Sequence, residues 1–174
     1  MRLYIYLLGF GLAAGACQPS TNRPPFVPRP EAAGQELRLP VREATRRLAE
    51  ALRADTIPIR RIERRDGYME SPWFDARTGR PTNRRPVGVG VVKVRAWADP
   101  ARPGSSQLTV ETLYRPVLDP SLPDRELEHE VARDHRVAKK VAGVLAKLAQ
   151  RYGAPPPPQP QQPRPAEPSE NSSE

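Results

Sequence analysis

The chain has 174 residues, with 28 Lys and Arg against 20 Asp and Glu, a formal net charge of +8, 23 prolines, two histidines and one cysteine. That length suits one domain with tails, and a hydrophobic content of 37% is low for a chain that folds from end to end. A single cysteine excludes an intramolecular disulfide framework and a Cys-based zinc site, and His129 and His135 cannot build a multi-His metal centre alone, so no metal and no cofactor are expected.

Met1-Arg2 is a short basic start, and Leu3 to Ala14 is an apolar run of signal-peptide length, too short to span a bilayer. Ala14-Gly15-Ala16-Cys17 follows. Small residues ahead of a cysteine at this place resemble the lipobox of bacterial lipoproteins, although Ala14 stands where that motif usually has Leu. The resemblance implies that residues 1–16 are cleaved and that Cys17 is acylated and becomes the mature N-terminus. The alternative is an ordinary secretory signal with an accidental cysteine. Gln18 after the cysteine resembles the sorting pattern of outer-membrane lipoproteins, which implies the periplasmic face of the outer membrane rather than the inner membrane.

Thirteen of the prolines crowd into Pro19–Pro30 and Pro155–Pro168. Residues 17–36 are therefore expected to form a Pro-rich linker, reaching about 60 Å when extended. Residues 154–174 bury almost nothing and are expected to be disordered. Between them, residues 37–153 are expected to form a single α+β domain.

Within it, Val41, Thr45, Leu48 and Leu52 recur at helical spacing after Pro40, which predicts a helix over 41–54. Ile57–Arg65 and Tyr68–Phe74, on either side of Asp66-Gly67, predict paired antiparallel strands. Val87–Ala98 is the most apolar strand, with Gly88-Val89-Gly90 inside it, and its phase slips at Val91-Val92, the sign of two-sided burial or a bulge. Gln107–Val117 alternates cleanly, while Asp124–Glu130 is an acidic patch in an irregular stretch. Val137, Val141, Val144, Leu145, Leu148 and Tyr152 then predict a closing helix, capped by Asp134 and ended by Gly153. The expected architecture is a four-stranded antiparallel sheet with both helices on one face, in the order α-β-β-β-β-α.

Arg65-Asp66-Gly67-Tyr68-Met69-Glu70-Ser71-Pro72-Trp73 resembles a segment of the BamC-type lipoprotein subunits of the outer-membrane β-barrel assembly machinery. Ser71-Pro72-Trp73 departs from the Thr-Asp-Trp typical there, and the second domain of that family is missing. The resemblance implies a helix-grip-like fold and an envelope address, and it carries over no catalytic residue.

Four cations in one polar loop, Arg77, Arg80, Arg84 and Arg85, are the candidate contact for an anionic partner, weighed evenly against a solvated loop. Trp73 and Trp97 read as packing residues before they read as a ligand stack. Glu128-His129-Glu130 and Asp134-His135 suggest acid–base chemistry, but no nucleophile stands beside them. The expectation is a membrane-anchored, non-enzymatic interaction or scaffold lipoprotein with an envelope protein partner and no nucleic-acid partner. The alternative is a lipoprotein that binds a small anionic or amphiphilic ligand between helix and sheet.

Overall fold

A computed structural model describes residues 21–82 and 87–153. In chain order the elements are β1 (Ala33–Leu37), α1 (Val41–Ala54), β2 (Arg61–Glu63), β3 (Tyr68–Glu70), β4 (Phe74–Asp75), β5 (Val91–Pro100), β6 (Ser106–Tyr114), α2 (Asp124–Leu127), β7 (His129–Glu130) and α3 (Arg136–Tyr152). All pairings between the strands are antiparallel. The sheet runs β1-β6-β5-β3-β2, with β4 also on β5 and β7 also on β6.

The expected four-stranded α-β-β-β-β-α arrangement is therefore wrong. The sheet has seven strands, and the helices number three among the described residues. Each extra element has a local cause. β1 is Ala-Gly-Gln-Glu-Leu, poor in strand-forming residues, and it is held by the edge of β6, from Ala33 opposite Val110 to Leu37 opposite Ser106. The expected strand 68–74 breaks at Pro72, which has no N–H. There the Ser71 hydroxyl substitutes, accepting from the Val94 N–H at 2.8 Å. The acidic stretch 124–130, expected to be irregular, forms α2 over Asp124–Leu127 and then β7, which pairs with the end of β6.

Boundaries also move: the strand expected over 57–65 is only Arg61–Glu63, and that expected over 107–117 is Ser106–Tyr114. Gly88-Val89-Gly90 lies in a turn and not in a strand, with Gly88 at φ 81°. His135, not Asp134, caps α3, its Nδ1 accepting from the Val137 N–H at 3.3 Å.

The two long helices cover one face of the sheet. α1 buries Ala44, Thr45, Leu48, Ala49 and Leu52, and α3 buries Val137, Val141, Val144, Leu145 and Leu148. They meet Val92, Val94, Ala96 and Ala98 of β5 and Leu108 and Val110 of β6 in one apolar core. Every second residue of each strand supplies this face, as the pleat requires. Burying a leucine here removes it from water, and truncating one to alanine costs about 2–5 kcal/mol.

Residues 21–36, expected as a free linker, belong to the folded body. The Asn22 N–H donates to the Asp66 carboxylate at 2.7 Å, and Arg23 pairs with Asp99. The Arg29 N–H donates to Glu111 at 2.8 Å, and β1 then joins the sheet. Cys17 and the residues around it lie outside the described part, as do Arg84, Arg85 and 154–174.

Candidate functional site

The opposite face of the sheet carries charge, and it is buried too. Register aligns Arg61 with Glu70, Glu70 with Arg95, and Arg95 with Glu111, so alternating charges cross four strands on one rung. Arg95, Glu111 and Glu128 are 3%, 0% and 1% exposed. Arg95 reaches Glu128 at 2.9 Å and Glu111 at 3.3 Å. Arg125 grips the two Glu111 oxygens at 2.8 and 3.0 Å. Burial disfavours the charge on Arg95, but Glu128, Tyr68 and Glu111 together outweigh it and hold its pKa above the ordinary value.

The segment 22–31 closes this layer. The Phe26 ring lies under both Arg95 and Arg125, at 5.0 and 5.4 Å. The Arg29 guanidinium donates to the Arg125 and Glu128 carbonyls at 2.9 and 2.6 Å. Beside them Trp97, fully buried, meets Tyr68 edge-on at 5.9 Å. At Glu70 burial raises the pKa, but Lys93, Arg60 and Tyr68 together hold it below the ordinary range. The carboxylates Glu70, Glu111 and Glu128 are all paired; among the described residues Arg29 Nε, Arg95 Nε and Trp97 Nε1 are buried without a hydrogen-bond partner, and the layer exposes no nucleophile. Its chemistry is that of a clasp: it fastens the N-terminal segment to the sheet.

Sequence reading missed this cluster because Arg95, Glu111 and Glu128 occupy positions that look solvated. One signal was present. The β5–β6 hairpin turns at residues 101–105, which puts Arg95 directly opposite Glu111.

The predicted arginine loop is only partly in view. Arg77 and Arg80 are exposed, and neither has a carboxylate within ion-pair distance among the described residues. Their loop is folded by Asp75, which accepts from the Arg77 and Thr78 N–H groups at 3.0 and 2.7 Å. It abuts the turn at Gly90, whose carbonyl accepts from the Ala76 N–H at 2.9 Å. That turn in turn meets the 115–122 loop, through Gly88 N–H to the Arg115 carbonyl at 2.6 Å. These neighbouring loops expose Val87, Val89, Val117, Leu118 and Leu122, between 39% and 55% each. Trp73 stands on the same side, with Arg115 at 4.8 Å and Lys93 at 5.9 Å from its ring. One end of the molecule therefore shows aliphatic surface beside unpaired cations.

A second feature is a half-open groove of about 500 Å³ between α3 and the β1–β6–β7 side of the sheet. Val110, Val141 and Leu145 line it, with Glu31 and Glu130 at its polar margin. Burial, then the Glu111 and Glu31 carboxylates, push Glu130 up to about 7.

The two histidines are separate and engaged. His135 caps α3 and contacts the Val89 carbonyl through Nε2 at 3.1 Å, while His129 tilts against Tyr114 at 6.1 Å. Glu128 is committed to Arg95. Among the described residues no group of three or more His, Cys, Asp or Glu is placed to hold a metal, and no helix is long and apolar enough to cross a membrane. The chain matches no protein-family model, and comparison with curated proteins and with solved structures gives no match.

Proposed function

We propose that this chain is a lipid-anchored envelope protein that works without catalysis, as an interaction module presenting one end of its sheet to a protein partner. The observation that carries the reading is the aliphatic cluster Val87, Val89, Val117, Leu118 and Leu122, exposed beside Arg77 and Arg80. Contiguous aliphatic surface rimmed by charge is the signature of a protein-docking site. The Cys17 motif behind an apolar leader supports the anchor, and Gln18 supports the outer membrane as its address. The BamC-like segment 65–73 supports a role in outer-membrane assembly.

Photo-crosslinking in the native host tests the docking site. A photoreactive residue at Val89 or Val117 should give a discrete high-mass adduct, and one at the exposed Gln150 near the end of α3 should not. Equal labelling at all three positions would overturn the reading. Mass spectrometry of the membrane fraction tests the anchor, and a mature chain with unmodified Cys17 would sink it.

A second reading is favoured by the groove beside α3. Its volume suits a small ligand, and its lining sets Val110, Val141 and Leu145 beside Glu31, Glu130 and Arg133. It predicts that the natively purified chain carries a small molecule, and that Leu145→Trp releases it.

A further inference from the structure

Resting on the anchor reading, we infer that the end of the molecule where the N-terminal segment joins the fold is a contact surface for the anionic phospholipid headgroups of the leaflet that holds Cys17. Three residues separate Cys17 from Thr21. A chain of that length spans about 14 Å at full extension. From Asn22 onward the segment is fastened, through Asp66 and Asp99. The tether is therefore much too short to hold the domain away from the bilayer, and one particular end must face it.

That end is defined by contacts. The 64–67 turn lies against β5, with the Ala98 N–H donating to the Gly67 carbonyl at 2.7 Å. The turn also abuts the start of α1: a Cβ added at Gly67 would stand 2.8 Å from Val41. The Arg38 N–H reaches the Tyr152 carbonyl at 2.7 Å, and the Ser106 hydroxyl reaches the Leu39 carbonyl at 2.8 Å. So the start of the N-terminal segment, the 64–67 turn, the β5–β6 hairpin, the start of α1 and the end of α3 share one end.

Its charge is one-sided. Arg38, Arg42, Arg64 and Arg65 are exposed and have no carboxylate partner among the described residues. The carboxylates present are already engaged. Asp66 takes the Asn22 N–H, Asp99 takes Arg23, Glu63 takes Arg61, and Glu36 takes the Ser105 hydroxyl with Arg102 at 3.8 Å. What remains is cationic, on Arg forks that suit lipid phosphates. The aliphatic docking end then points away from the bilayer, toward a partner.

The test is vesicle binding by the mature chain with Cys17→Ser, so that charge is read without the anchor. Vesicles of phosphatidylcholine with about a third phosphatidylglycerol should bind it, and pure phosphatidylcholine vesicles should not. Each arginine near an anionic surface strengthens binding about fivefold, so Arg64→Gln with Arg65→Gln should weaken it about 25-fold. Arg77→Gln with Arg80→Gln, at the other end, should change it less than twofold. Equal losses from the two pairs, or no preference for anionic vesicles, would overturn the inference. An acylated Cys17 with no such preference would defeat this inference alone. An unmodified Cys17 with a clear preference would defeat the anchor and leave the surface standing.

Discussion

Both faces of the sheet are dry at the centre, and they are made dry by different means. One is covered by α1 and α3 through aliphatic side chains, with Val92, Val94 and Leu108 at 0–1% exposure. The other is covered by residues 22–31, with Arg95, Glu111 and Glu128 at 0–3% exposure. The apolar face gains from every surface it removes from water and tolerates imperfect geometry. The charged face must first overcome the desolvation of its ions, so it holds only while each ion keeps its partner. The difference predicts a steeper response to single changes on the charged side.

Arg95→Ala should have the largest effect, about 3–5 kcal/mol, because it leaves Glu128 buried without its guanidinium. Chemical denaturation of the full chain would measure it. Replacing Arg95, Glu111 and Glu128 together by apolar residues of similar volume should cost far less, and a triple variant as unstable as Arg95→Ala would erase the contrast. On the apolar face, Leu145→Ala should cost about 2–4 kcal/mol, set by how far the groove beside α3 lets the site collapse. An unchanged melting temperature would mean that the α3 stripe is not core.

Phe26→Ala removes a ring shared by two guanidinium groups and should cost about 1–2 kcal/mol. Its sharper readout is local: the Asn22 and Arg29 amides, which donate to Asp66 and Glu111, should exchange hydrogen faster than amides elsewhere in the fold. Unaltered protection there would mean that the salt links alone hold the segment. The smallest effect is pH-dependent. The Glu130 carboxyl titrates near 7 in the fold, above its ordinary value of 4.5. Its contribution to stability is thus complete below about pH 4.5 and is lost as pH rises through 7. Glu130→Gln should be more stable than the natural chain at pH 8, by about 1 kcal/mol given partial exposure, and equally stable at pH 4. A constant difference across that range would rule out the titration.

The same contrast explains what the sequence disclosed. Residues that turn toward the helices announce themselves by period, which is why α1 and α3 are legible almost to the residue, and why the run Val87–Ala98 shows its change of phase at Val91-Val92. The buried ions carry no such mark. A charged residue in a strand reads as solvated, and only pairing across the hairpin reveals Arg95 facing Glu111. β1 was hidden for a related reason, since Ala-Gly-Gln-Glu has no strand preference of its own and owes its conformation to β6. Of the proposed contact residues, Arg77 and Arg80 are exposed as the loop composition implied. The aliphatic neighbours from residues 115–122 could be found only once the loops were brought together.

The bridge between Leu37 and Gly153 has a consequence for polymerisation. β1 is an outer strand of the sheet, and an outer strand is a growth front to which another copy can add its own backbone. The opposite outer strand, β2, is only three residues long and offers little template. At β1 the chain's own Gly153 occupies the first rung. An incoming strand meets an occupied position. A chain ending at Tyr152 should therefore sediment at a higher average mass than the full chain at the same concentration. Identical masses would assign the protection of that edge to α3 alone.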